Sequence, residues 1–357
     1  MDRCERVGGI LKDRGIDALL VTKDANIRYV SGFTGSESYV VLSEAGRVFI
    51  TDLRYTEQAA DECHGFEVLP YRSPHPPLGE TLGSVATKFG IKRLGFEGDS
   101  ISFDLYSKIA EALKGVEMIP SSGVVEELRY TKSPEEICRV KRAAEIADMA
   151  FNHILGVLRP GVTEKDIEFE LECFMRKNGA FSAGFATIIA SGPRSSLPHA
   201  VPSNRKIQQG DFVTMDFGAL YEGYRSDMTR TIVVGRPDDR QREVYDIVKR
   251  AQEAGMRAVK AGVKGSEPDR AARSVIEAAG LGECFGHGLG HGVGLEIHEE
   301  PRMSRESNSI LSTGCIVTVE PGVYIPGWGG VRIEDTVLVL DEGCEALTLS
   351  PKEMIVL

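Results

Sequence analysis

The chain has 357 residues, of which 42% are hydrophobic and 27% charged, and a formal net charge of −11 at pH 7. Such a composition belongs to a globular protein of two domains or one large one. The acidic balance and the lack of a basic stripe argue against a nucleic-acid partner, and no apolar run approaches the roughly 20 residues of a membrane span.

From the start, MDRCERVGGILKDRG reads as an amphipathic helix without the apolar core and cleavage site of a secretory signal. IDALLVT is a strand candidate, followed by a short helix around DANIRYV. SGFTGSES reads as a loop. RVFIT, FEVLPY and RLGFEG are further strands, and DLYSKIAEALKG is a helix. This is α/β texture, and it carries no cluster of ligand-type side chains. A boundary is expected near 121–133, giving an N-terminal αβ domain over 1–125 and a second domain over 126–357. The second opens on a long helix with Ser133 as N-cap, Pro134 at its first position and Glu136 closing a capping box. Another helix follows Thr163 and stops at Gly179, and two more are expected at DRQREVYDIVKRAQEAGMRAV and EPDRAARSVIEAAG. The seven cysteines are scattered, odd in number and never spaced as CxxC, which suits reduced thiols in a cytoplasm.

Interleaved with these helices are segments read as strands, and they carry a set of acidic residues and histidines. Asp216 lies in VTMDFG, with Asp227 eleven residues on; His287, His291 and His298 lie in GHGLGHGVGLEIHEEP; Glu320 lies in IVTVEPG and Glu334 in GVRIEDT. Alternation puts Thr214 with Asp216, Thr318 with Glu320, and Arg332 with Glu334, opposite apolar residues of the same strands. Each strand thus turns one face to a core and a carboxylate to the other side. Several carboxylates in apolar strands are costly to bury unless a positive charge neutralises them. Two divalent cations sharing bridging carboxylates would do so and would activate a water at neutral pH. A carboxylate and imidazole set without thiolates suits manganese, cobalt, zinc or iron rather than a structural zinc site.

HGLGHGVGLEIHE resembles the histidine motif of the proline-specific metallopeptidases, Xaa-Pro aminopeptidase and Xaa-Pro dipeptidase (prolidase). MDFGALYEGYRSDMTRT, TVEPGVY and VRIEDT are similar to the family's other motifs, in the same order. The resemblance covers the chain from about residue 133 onward, and the segment before it looks like the family's N-terminal domain. It implies the pita-bread fold, two pseudo-symmetric αβ halves around two divalent metal ions, with manganese the first expectation. Asp227 and Glu334 would bridge the metals, Asp216 would complete one, and His291 and Glu320 the other. Glu320 would also handle the proton of the attacking water, while His199 and His298 would contact substrate or shuttle protons. His287 and Tyr324 would line the site, Arg332 would support Glu334, and Arg302 stands where some dipeptidases hold the substrate carboxylate. Phe181, Phe185, Tyr324 and Trp328 are candidates for a slot that takes the proline ring. The expected activity is hydrolysis of Xaa-Pro bonds at peptide N-termini, with dipeptidase the close alternative. A methionine aminopeptidase and a non-catalytic binding module of the same fold are further ones. A homodimer is expected, with the SGFTGSES loop reaching the partner's site.

Overall fold

A computed structural model describes residues 2–357, which form two compact units, one ending at Arg129 and one spanning Tyr130–Leu357. The first unit divides from the second beyond the helix Val124–Arg129, whose Val124, Val125 and Leu128 are buried.

The first unit is built on a six-stranded mixed sheet in the order Glu67–Pro70, Gly46–Thr51, Tyr39–Ser43, Ala18–Val21, Arg93–Phe96, Glu117–Pro120. Ala18–Val21 is buried at every position. Ala18 and Leu20 meet Leu82, Val85 and Ile109 of the helices Leu78–Phe89 and Phe103–Ala112. By alternation Leu19 and Val21 serve the opposite face, so both faces of this central strand are covered. The sequence reading passes over the strands Tyr39–Ser43 and Glu117–Pro120 and the helices Thr56–Glu62, Leu78–Phe89 and Val124–Arg129. In Leu78–Phe89, Gly79 and Gly83 dilute the helical pattern. Gly79 is needed there, since a Cβ at that position would lie 2.6 Å from the Cβ of Ala112 on the neighbouring helix.

The second unit contains two αβ halves. In the first, the helices Pro134–Leu155 and Glu164–Lys177 back an antiparallel sheet of Ile188–Ser191, Phe212–Phe217 and Met228–Val233. Ile146, Phe151, Ile167 and Leu171 pack there against Val213, Met215 and Phe217. In the second, the helices Asp239–Ala258 and Ser266–Ala278 back a five-stranded sheet containing Gly290–Gly292, Ile316–Val319 and Asp335–Val339. Val248, Ala251 and Ile276 pack against Val317, Val319 and Val337. A hairpin, Gly322–Ile325 with Gly329–Arg332, completes this half. Its tip carries Trp328, edge-on to Phe212 at 5.7 Å and beneath the guanidinium of Arg240. The expected capping boxes form at Ser133 with Glu136 and at Thr163 with Asp166.

A buried ion pair ties the sheets of the two halves together. Arg230, on Met228–Val233, donates from Nη2 to Asp335 Oδ1 at 2.7 Å, and both side chains are 1% exposed. Lys352 and Gln252 donate to Asp335 Oδ2 at 2.6 and 2.9 Å. Burial opposes the charge on Asp335, but Arg230 and Lys352 outweigh it and hold the carboxyl below its ordinary range. Because the folded pKa is depressed, the stability this group gives is complete above about pH 4, the unfolded carboxyl value. It is lost as pH falls through the folded value. Arg230→Met, which strands the Asp335 charge, is expected to cost about 3–5 kcal/mol at neutral pH. Urea unfolding followed by circular dichroism measures this; an unchanged midpoint would refute it.

Candidate active site

A cavity of about 360 Å³ lies in the second unit, and Asp216, Asp227, His291, Glu320 and Glu334 all line it. His199, His287, His298, Arg302 and Arg332 line it as well, so every charged or imidazole residue singled out in the sequence converges there. The reading of Asp216, Asp227, His287, His291, His298, Glu320 and Glu334 as strand residues needs correction. Asp216 and His291 lie within strands, but Asp227 just precedes Met228–Val233 and Glu320 just follows Ile316–Val319. Glu334 lies in the break where the chain passes from the hairpin strand Gly329–Arg332 to Asp335–Val339. His199, His287 and His298 are on loops. At strand ends the ladder stops, and side chains are free to turn towards one point from different sheets.

The glycines of GLGHG have a steric purpose. A Cβ on Gly290 would lie 2.0 Å from the carbonyl oxygen of Thr318, and one on Gly292 would lie 2.3 Å from that of Glu300. Only glycine lets Gly290–Gly292 run this close to its neighbours. His291 is thereby fixed, with its backbone N–H on Thr318 Oγ1 at 3.1 Å. Its Nδ1 faces the carbonyl of Gly292 at 3.1 Å, leaving Nε2 directed at carboxylates, 3.3 Å from Glu320 Oε1 and 3.7 Å from Asp227 Oδ2. Ligand atoms of Asp227, His291 and Glu334 all lie within 4.8 Å of one another.

Arg332 is the buried cation of the site. Its Nη2 donates to Asp216 Oδ2 at 2.5 Å, Nη1 to Tyr324 Oη at 2.8 Å and to Pro198 O at 3.3 Å, and Nε to Thr229 Oγ1 at 2.9 Å. Thr229 in turn donates to Glu334 Oε2 at 2.6 Å. Arg332 thus pairs directly with Asp216 and reaches Glu334 only through Thr229. Tyr324 Oη also meets His287 Nε2 at 3.0 Å. The sequence reading gave Thr229 no role, although it lies two positions beyond Asp227 and alternation puts it on the same side.

These groups perturb one another strongly. Burial raises the carboxyls of Asp227 and Glu334 well above their ordinary range, and the surrounding carboxylates add to it. Asp216 is raised too, by burial above all, with Arg332 opposing. Glu320 differs: burial opposes its charge, but the hydrogen bond and charge of His291 bring it down to about 2. Burial and the charges of His291 and Arg302 push His298 down to about 4. Among the described residues, Asp216 Oδ1 and Glu334 Oε1 are buried without a hydrogen-bond partner. Buried polar atoms are otherwise almost always paired. Orphaned carboxylate oxygens, crowded negative charge and an imidazole nitrogen directed at carboxylates fit a divalent-cation centre.

The apolar wall differs from the expected slot. Phe185 lines the cavity, but Phe181 is 79% exposed and not on it, and Trp328 belongs to the hairpin tip and its core. Tyr324 is buried behind His287. The wall is made instead by Ile188, Pro198, Ile297 and Met303 with Phe185. These come from separate segments, and no local pattern in the sequence joins them.

Residues 138–341 match metallopeptidase family M24, and residues 3–131 match the creatinase/prolidase N-terminal domain. A curated Xaa-Pro dipeptidase of Pyrococcus furiosus is 39% identical, covering 99% of each chain. Among solved structures, an Xaa-Pro dipeptidase from Bacillus anthracis superposes with a TM-score of 0.96 at 48% identity, covering 99% of each chain. An X-Pro aminopeptidase from Thermotoga maritima superposes with a TM-score of 0.93 at 41% identity, covering 100% of each.

Proposed function

Since the chain belongs to metallopeptidase family M24 and is a metal-dependent peptidase, we propose that it is an Xaa-Pro dipeptidase. The observation that carries this reading is the convergence of Asp216, Asp227, Glu320, Glu334 and His291 on one small cavity, with Arg302 on its wall. No carboxylate pairs with the guanidinium of Arg302 among the described residues, and its side chain is exposed. A free arginine there suits the C-terminal carboxylate of a dipeptide. The names of the P. furiosus and B. anthracis relatives support dipeptidase over the aminopeptidase expected first. The name of the T. maritima structure keeps aminopeptidase as the second reading.

Asp216, Asp227, His291, Glu320 and Glu334 would together hold two divalent cations. Manganese is the first choice, and cobalt, zinc or iron fit the same donors. Bound there, the cations supply Lewis acidity towards the scissile carbonyl and make a water acidic enough to attack it at neutral pH. The chain's own groups do the rest. Glu320, held ionised beside His291, takes the proton of the attacking water. It passes that proton to the proline nitrogen as the C–N bond breaks, which releases an amine and a carboxylate. His298, its ring centred 4.4 Å from that of His291, is kept neutral and offers an N–H to the carbonyl oxygen. His199 lines the same cavity as the second outer histidine, and His287 with Tyr324 orders the wall. Phe185, Ile188 and Ile297 offer the proline ring an apolar surface.

The testing experiment is turnover of Gly-Pro beside a longer Xaa-Pro-Xaa peptide, with added manganese or cobalt and with chelator. Metal-dependent cleavage confined to the dipeptide is the expected result; cleavage of the longer peptide would make the enzyme an aminopeptidase. Arg302→Ala is expected to raise KM for Gly-Pro about 10- to 100-fold, the worth of a charge-assisted hydrogen bond of about 1.5–3 kcal/mol. An unchanged KM would remove Arg302 from the reading. A cytoplasmic homodimer belongs to the same proposal, and a fully active monomer in light scattering would sink the dimer.

A further inference from the structure

Of the buried charges that the mechanism leaves unused, one holds a segment of the cavity wall. Glu164, at the first position of the helix Glu164–Lys177, is 0% exposed and lies apart from the metal ligands. Its Oε1 accepts from Ser191 N and Oγ, both at 2.8 Å. Its Oε2 accepts from Ser203 N at 2.9 Å and Ser203 Oγ at 2.6 Å. Arg194 Nε adds a contact to Oε2 at 3.0 Å. One carboxylate therefore closes both ends of the segment from Ser191 to Ser203, and His199 stands within it.

The same segment is fastened in its middle. Ser195 Oγ accepts from Gly330 N at 2.8 Å, and the carbonyl of Pro198 accepts from Arg332 Nη1 at 3.3 Å. The imidazole of His199 has no hydrogen-bond partner among the described residues and is exposed on the cavity wall. Its place over the cavity is therefore set by the backbone, which Glu164 holds at both ends and Ser195 and Pro198 hold in the middle.

We infer that Glu164 is a positioning residue for the reaction, acting through His199 by buckling the Ser191–Ser203 segment against the cavity. The inference rests on the reading of His199 as an outer, substrate-contacting histidine. A carboxylate is required because every group it meets is a donor. An amide in its place would turn an N–H₂ towards N–H and O–H donors at one end of the segment, releasing that end.

The test is a double-mutant cycle on Gly-Pro turnover with metal content measured alongside. His199→Ala is expected to lower kcat roughly 10- to 100-fold with KM little changed. Glu164→Gln is expected to lower kcat about tenfold or more, to retain wild-type metal content, and to speed hydrogen exchange in the Ser191–Ser203 segment. The double variant should be no slower than His199→Ala. Factors that multiply, or metal lost from Glu164→Gln, would overturn the inference, because Glu164 would then act by a route other than His199. A His199→Ala protein with wild-type kcat would instead overturn the role given to His199 itself, and with it this route for Glu164. Should Glu164→Gln fail to fold, Ser203→Ala removes one hydroxyl from the clasp and carries the same cycle, with a smaller drop of the same kind expected.

Discussion

Asp227→Asn is expected to abolish turnover and yet to stabilise the metal-free protein. Asp227 is buried, and its carboxyl is raised well above the ordinary range by burial and by the charges of Glu334, Asp216 and Glu320. A group that holds its proton more tightly folded than unfolded costs stability as pH rises above about 4, the unfolded value. The cost stops growing only when the folded group itself ionises. This is the opposite sign to Asp335, so without metal the two groups pull the pH profile in opposite directions. Asparagine has the same shape and never ionises, so it removes the Asp227 cost. On the proposed reading it also removes a charge that would hold the cations, and those cations would supply several kcal/mol to the transition state. Loss of that amount slows turnover about 10³-fold or more. The wild type should lose melting temperature on chelation, because a cation that binds only the folded state stabilises it. Asp227→Asn should show no such loss and should melt above chelated wild type. Calorimetry with and without chelator, beside a Gly-Pro assay, measures both effects. Retained metal-dependent turnover would refute the assignment of Asp227.

Arg332→Met is expected to destabilise the protein about as much as Arg230→Met does. Arg332 is 3% exposed, and its guanidinium joins Asp216, Tyr324, Thr229 and the carbonyl of Pro198. Methionine fills much of the volume but leaves Asp216 without its counter-charge, a change worth about 3–5 kcal/mol at neutral pH. The deficit should shrink on acidification, since a protonated Asp216 no longer needs a cation. Arg332→Lys should not rescue it fully, because one ammonium cannot span the contacts made by a planar fork. Urea unfolding of the chelated proteins at two pH values gives the answer. A deficit that is absent, or that grows on acidification, would show that Asp216 does not depend on Arg332.

Much of the site is legible in the sequence because its elements are local. The alternation around Asp216, Glu320 and Arg332 predicts a carboxylate or cation opposite an apolar face, and Val213, Val319 and Val331 are indeed core residues. Ser133 and Thr163 announce their helices because a cap depends on three or four consecutive residues. What escaped depends on contacts between distant segments. Thr229 joins Glu334 to Arg332 across two strands, and Glu164 reaches Ser191 and Ser203 from a helix start. Trp328 reads as a candidate for the substrate slot because its neighbours Phe212 and Arg240 are distant in sequence. Glu320 and Glu334 read as strand residues because alternation continues for a residue or two after the ladder has stopped.

Trp328 has one more consequence. It is the only tryptophan in the chain, and it sits at the tip of the hairpin whose strands deliver Tyr324 and Arg332. Its indole is edged by one aromatic ring and capped by one guanidinium. Tryptophan emission from this protein therefore has a single origin. The molecule carries an optical reporter, placed by its own fold, on the segment that braces the site, and any motion of that segment can be followed without a label.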